Sequence, residues 1–166
     1  MIFTDLPVGA TVFLDANTIV YHFSQHQRYG APCTDLLERI ARQELVGHTS
    51  IHVLGEPAHR LMALEAIGRF GWPNTGIANR LRRHPAEVQQ LTRFRQAIDE
   101  IPLFGIQVHS ITFSLLSAAL GLCQTHGLLT NDALIIALMQ ANSWSNLASE
   151  DDDFDRVPGI TRYAPV

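Results

Sequence analysis

Two periods alternate along this chain. Short apolar runs such as Val12-Phe13-Leu14 are followed by longer stretches in which apolar residues return every third or fourth position. The first pattern is that of a strand buried on both faces, the second that of a helix with one apolar side. In order, the pattern predicts a strand over 11–15, a helix over about 17–25, a turn at 28–31 around Gly30, and a helix from Pro32 to Arg42. A second strand is expected over 45–49, after which Ser50 is placed to cap a helix carrying Val53, Leu54, Leu61, Met62 and Leu64. Pro57 is expected to tighten or kink the start of that helix. A loop over 70–76 leads to a helical piece over 77–83 and another opened by Pro85. In that last piece Val88, Leu91, Phe94, Ile98 and Ile101 share one face, and Arg93 lies on the other. A third strand is expected over 104–108, then a long apolar helix capped by Ser110 and stopped near Gly127. A helix capped by Thr130 runs to about Ala141, a fourth strand covers 146–149, and 160–163 reads as a short edge strand. Helices alternating with short apolar strands predict an α/β class with a parallel sheet. No repeat or linker divides residues 1–166, which read as a single domain.

The pattern leaves acids standing at element ends. Asp15 ends the first strand, Glu56 sits early in its helix, Asp132 lies just inside the helix after Thr130, and Asp151 follows the fourth strand. The carboxyl end of a central parallel strand is where open α/β sheets place their ligands. Three of the four have ordinary readings. Asp132 suits the helix dipole, Asp151 to Asp153 suit a solvated loop, and Glu56 suits an exposed helix face. Asp15 is different, because an unpaired acid ending a buried strand is costly. Carboxylates gathered in one pocket repel one another unless a hard cation sits among them, and Mg²⁺ or Mn²⁺ takes oxygen ligands.

Composition narrows the classes. With 46% hydrophobic and 17% charged residues in 166, the chain has the means to bury a core. No apolar run has the length of a membrane span, and no basic-then-apolar leader is visible at the N-terminus, so a cytoplasmic location is expected. Cys33 and Cys123 are isolated and imply neither a disulfide framework nor a zinc motif. His22/His26 and His48/His52 have the i, i+4 spacing of paired zinc ligands but lack a third partner. No Gly-Lys-Ser/Thr sequence occurs, which excludes a P-loop. The net charge is −4, yet its distribution is uneven. Lysine is absent, and six of the twelve cationic residues are Arg69, Arg80, Arg82, Arg83, Arg93 and Arg95. Glu87 is the only acid between 66 and 98, whereas Glu150, Asp151, Asp152, Asp153 and Asp155 cluster near the C-terminus. One basic and one acidic patch imply different tasks.

Four segments then carry a resemblance. VFLDANTIVY from Val12, SIHVLGE from Ser50, LTNDALIIALM from Leu129 and LASEDDDFDRVPGI from Leu147 resemble, in order and spacing, the acidic motifs of PIN-domain ribonucleases. Within that family they are most similar to the VapC-type toxins of bacterial toxin–antitoxin pairs. The resemblance implies a three-layer α/β/α sandwich around a parallel sheet of four to five short strands. It implies that Asp15, Glu56, Asp132 and Asp151 hold Mg²⁺ or Mn²⁺ for hydrolysis of RNA phosphodiester bonds. Ser149 falls where the family often has threonine and is expected to orient a carboxylate or a water. Asn17 falls on the polar position after the first acid, and Asp153-Phe154 matches the family's Asp-Phe pair. The implied partners are an RNA substrate, a cognate antitoxin and a second copy of the chain. Pro57 directly after Glu56 departs from the pattern, as does the length of the helical, arginine-rich segment at about 68–100. Arginine's planar fork suits phosphate. Arg80, Arg82, Arg83 and Arg93 are therefore expected to hold the RNA backbone beside the acids, or an acidic antitoxin tail. Two other classes fit less well. A PIN-like fold kept as a non-catalytic interaction module is opposed by the presence of all four acids. A haloacid-dehalogenase-like phosphatase needs an aspartate where Asn17 stands and a later lysine, and neither is present.

Overall fold

Val12 and Leu14 point to one side of the first strand and Phe13 to the other, and that alternation divides the core in two. The computed structural model describes residues 1–166. Five strands, β1 (Thr11–Leu14), β2 (Val46–Ser50), β3 (Gln107–His109), β4 (Asn146–Ala148) and β5 (Thr161–Tyr163), form one sheet in the order β3-β2-β1-β4-β5. Every neighbouring pair is parallel. Val12 and Leu14 pack with Ile19 of α1 (Ala16–Phe23) and with Leu36, Leu37 and Ile40 of α2 (Gly30–Ala41). Phe13 and Leu147 pack with Ala119 of α7 (Phe113–His126) and Ile136 and Met139 of α8 (Thr130–Ala141). This is the α/β/α sandwich expected from the sequence. No helix is long and apolar enough to cross a membrane.

α2 lies tight against β2 at Gly47. A Cβ there would come within 2.8 Å of Ile40 Cδ1 and 2.9 Å of its Cγ2, and Ile40 is itself buried. Glycine is what lets the helix and the strand approach so closely.

α3 (Ile51–Phe70) is the longest element, at 20 residues or about 30 Å. It meets the two main clusters only at its start, through Val53 and Leu54. Its second half supports a third cluster, in which Ala63 and Ala66 pack with Leu81 of α4 (Ile77–Arg83) and with Leu91. α5 (Pro85–Val88) and α6 (Arg93–Glu100) complete this outlying group.

Several local expectations change. α3 runs unbroken through Pro57, its seventh residue, giving up the hydrogen bond that Pro57 cannot donate. Ser50 occupies the cap position of α3 but makes no capping bond; its hydroxyl pairs instead with His52 Nδ1 at 2.8 Å. Thr112, not Ser110, caps α7, its Oγ1 accepting from the Leu115 N–H at 3.3 Å. Thr130 is the first residue of α8, and Leu129 holds the cap position without a side-chain bond. The segment opened by Pro85 is two helices, not one. The third strand is shorter and later than the apolar run Phe104–Val108, because a 3-10 turn at Ile101–Phe104 and Gly105 at φ 82° occupy its first half.

β1 is central, and the chain leaves it in opposite directions, toward β2 and β3 on one side and β4 and β5 on the other. The crevice at the carboxyl ends of β1 and β4 is thus a topological switch point, the usual place for a ligand in such a sheet.

Candidate active site

Asp15 is the residue after β1 and the N-cap of α1. It is only 7% exposed. One carboxylate oxygen accepts from the Ala16 N–H at 2.6 Å and the other from the Ser149 hydroxyl at 2.8 Å. Its backbone is fixed as well, the Asp15 N–H donating to the Ala148 carbonyl at 3.0 Å. Thr18 Oγ1 donates to that same carbonyl at 3.0 Å, fastening α1 to the end of β4.

Ser149 joins the two strand ends. Fully buried just beyond β4, it donates to Asp15 and accepts from the Asp151 N–H at 3.1 Å. Asp151 Oδ1 in turn accepts from the Asp153 N–H at 2.9 Å, capping a 3-10 turn over Asp152–Arg156. The carboxylates of Asp151, Asp152 and Asp153 bring one oxygen each to within 4.8 Å of one another. Asp153 pairs with Arg156, and Asp152 is exposed to solvent.

The remaining acids arrive on helices. Asp132 lies in the first turn of α8 and Glu56 in the second turn of α3. Burial, less the hydrogen bonds from Ser149 and Ala16, and then the charges of Glu56 and Asp132 push the Asp15 carboxyl up to about 6. Burial and the charges of Asp151, Asp153 and Glu56 push Asp132 up to about 6. Asp15 thus feels the charges of Glu56 and Asp132, and Asp132 those of Asp151, Asp153 and Glu56. Of Asp15, Glu56, Asp132 and Asp151, Glu56 alone has a cationic partner, Arg60 at 3.3 Å, one turn on along α3. Arg60 also donates to Asn17 Oδ1 at 2.6 Å. Neither Arg60 nor, as a member of the cluster, Asp153 is singled out by the sequence pattern. The i, i+4 spacing from Glu56 is the available signal for Arg60.

A set of oxygen donors with so little compensating positive charge suits a hard divalent cation. Asp15, Asp132, Asp151 and Glu56 are the carboxylates that could hold it.

The arginine segment stands apart. Arg80, Arg82 and Arg83 are on α4, which packs on the second half of α3. α4 packs on Ala63 and Ala66, seven and ten residues beyond Glu56, about 10 to 15 Å along the helix. Arg80 lies over the Trp72 ring at 5.8 Å, Arg82 donates to Asn79 at 3.3 Å, and Arg83 makes no ion pair. Arg93 lines a cleft of about 420 Å³ between α1, α3 and α6, with Glu65 and Glu100 on its walls. The histidine pairs do not converge on a zinc site. His22 bonds Thr34 at 2.9 Å, and His48 pairs with His109 at 2.9 Å, whereas His52 turns to Ser50.

The family described as PIN domain matches residues 12–160. Among solved structures, the chain is similar to VapBC2 from Rickettsia felis bound to a promoter DNA fragment, with 16% identity, 93% of this chain and 98% of that chain covered, and a TM-score of 0.56. It is similar to Mycobacterium tuberculosis VapC20, described as a toxin that cleaves the sarcin-ricin loop, at 17% identity over 87% and 92% of the chains, TM-score 0.57. A toxin–antitoxin complex from Klebsiella pneumoniae is matched at 16% identity over 90% and 95%, TM-score 0.52. At these identities the likeness is one of fold. No curated protein matches the sequence.

Proposed function

Because the chain belongs to the PIN-domain family, we propose that it is a divalent-metal-dependent endoribonuclease and the toxin of a toxin–antitoxin pair. The observation that supports this is the hydroxyl of Ser149 joining Asp15 to the Asp151 backbone at the switch point, with Asp15 and Asp132 pushed up to about 6 by burial first and by neighbouring acids next. Bound Mg²⁺ or Mn²⁺ supplies a water of lowered pKa and offsets the charge that develops on the phosphate. Asp15, Asp132, Asp151 and Glu56 hold the ion. Ser149 fixes the Asp15 carboxylate in one orientation through its hydroxyl and holds Asp151 by the same atom. Asn17 and Arg60 stand at the rim as polar partners for the substrate backbone. No side-chain nucleophile is needed. The two neighbours solved as toxin–antitoxin complexes support an antitoxin partner for this chain. Phe113 and Leu120, exposed and seven residues apart on α7, offer an apolar face for a second copy.

The test is RNA cleavage by protein stripped with EDTA and then returned to Mg²⁺ or Mn²⁺. Products should appear only with the ion, and single-stranded RNA degraded equally well in EDTA would refute the reading. In the same assay Asp151→Asn should be inactive and Asp152→Asn nearly silent, since Asp152 faces solvent while Asp151 is held toward Ser149.

The arginines of α4 are proposed to bind RNA at a distance from the cleaved bond. Replacing Arg80, Arg82 and Arg83 by Ala should weaken RNA binding and flatten its salt dependence, by about 0.7 in logarithmic slope for each single-strand phosphate left without its arginine. Metal affinity should stay the same. Binding titrations over a range of NaCl read both, and an unaltered slope would remove this face from the RNA path.

A further inference from the structure

Only two positions in the first six residues of α1, Asn17 and Tyr21, are not buried. They are one turn apart and so share a face, about 6 Å from each other along the axis. That face leads away from the carboxylates. Asn17 accepts from Arg60, which also pairs with Glu56. The Tyr21 phenol is pushed up by burial first and by the charge of Glu150 next, and pulled down by Arg60. Arg60 is tied to Asn17, one turn before Tyr21, and Glu150 stands between Ser149 and Asp151 in the chain.

Beyond Tyr21 the same path meets a group of rings. Tyr21 lies 4.6 Å from His26 and 5.2 Å from Tyr29, centre to centre. His26 and Tyr29 are stacked, 5.2 Å apart and within 10° of parallel. The Tyr29 N–H donates to His26 Nδ1 at 3.2 Å, which fixes the imidazole edge. Arg28 sits over Tyr29 at 4.9 Å and has no acidic partner. His26 and Arg28 are exposed. The three rings thus touch one another in a group, with Tyr21 on the helix face that leads from Asn17, His26 exposed, and the unpaired Arg28 over Tyr29. An apolar core does not need such an arrangement, since these rings lie outside the largest clusters except at Tyr21.

We propose that the Tyr21–His26–Tyr29 stack is a nucleobase platform, on which a base of single-stranded RNA next to the cleaved phosphate adds to the His26 ring while Arg28 takes a neighbouring phosphate. This rests on the ribonuclease reading. Aromatic rings accept any base by its face, and a guanidinium in the same stack adds charge without demanding sequence. The platform positions the strand; it touches none of the carboxylates that hold the ion.

The experiment uses the full chain with Mg²⁺ and a single-stranded oligoribonucleotide carrying 2-aminopurine at successive positions. Stopped-flow mixing reads quenching by stacking before cleavage. The parent should quench the probe at one or two positions next to the cut. His26→Ala should lose that quenching and raise KM by about five- to a hundred-fold, the usual effect of losing one stacked base. kcat should change little. His26→Phe, which keeps a ring but not the hydrogen bond to Tyr29, should restore both. Melting temperatures with and without Mn²⁺ should match the parent for all variants, and Tyr29→Ala provides an independent loss of the stack should His26→Ala fail to fold. A parent that cuts RNA while His26→Ala and Tyr29→Ala keep its quenching and KM overturns the platform alone. A parent that neither binds nor cuts RNA overturns the ribonuclease reading beneath it.

Discussion

Asp15→Asn should abolish metal-dependent RNA cleavage while leaving the metal-free protein at least as stable as the parent. The activity loss should exceed the ten- to hundred-fold that changes outside the metal's own ligands cost, because Asp15 is the buried carboxylate to which Ser149 is anchored. The stability effect runs the other way. Burial holds the Asp15 carboxyl near 6 against an ordinary 3.8, so at pH 7 the folded chain carries a charge it resists. A neutral amide of the same shape relieves up to about 3 kcal/mol of that resistance, less whatever the bonds from Ser149 and Ala16 lose in strength. Thermal melts in EDTA read the second half of the prediction. A drop of several degrees there would mark Asp15 as a structural acid and leave the activity loss without its proposed cause.

The metal-free protein should also lose stability as pH rises from about 4 to 7. Asp15 and Asp132 both hold protons more tightly in the folded chain than in the unfolded one. Between their ordinary 3.8 and about 6 the folded state binds more protons, so stability falls with rising pH. Their favourable contribution is complete below the lower value and gone above the upper. Glu44 and Asp155, held below the usual range by Arg42 and Arg162, act oppositely, adding stability as pH rises to the ordinary carboxylate value. The difference between the parent and an Asp15→Asn, Asp132→Asn double variant isolates the site. Mn²⁺ should cancel the loss at pH 7 by taking the protons' place, giving about 2.7 kcal/mol at a hundred times its Kd. Its effect should fade below pH 6 as protons compete. Melts across pH 4–8, with Mn²⁺ and with EDTA, test this; curves that coincide at pH 7 would remove the ion from the site.

Much of the site is legible in the residues. A carboxylate ending a buried strand is too costly to be incidental, so Asp15 points to the crevice by its position in the sequence alone. The apolar run marks β1, whose Val12, Phe13 and Leu14 are all fully buried, whereas β3, exposed at Gln107 and Val108, is offset from the run at Phe104–Val108. Placement is harder. Nothing in the spacing of Arg80, Arg82 and Arg83 says that α3 extends for 20 residues and carries them away from the acids. Pro57 suggests an interruption that the surrounding helix overrides. The caps expected at Ser110 and Thr130 fall on other residues, since several hydroxyls stand near each helix start and only tertiary packing chooses among them. Spacing pairs His48 with His52, yet its partner, His109, is 61 residues away on the adjoining strand.

The hydroxyl bond from Ser149 to Asp15 spans 134 residues. A bond so distant in the chain closes only once both of its ends have been made, and closing it costs the entropy of the long loop between. On the ribosome, a nascent chain shorter than 151 residues lacks the last of the four acids, and one shorter than 146 lacks all of β4 and Ser149 as well. A chain that stops before residue 149 therefore lacks the Ser149 hydroxyl, and its Asp15 carboxylate is left with the bond from the Ala16 N–H alone.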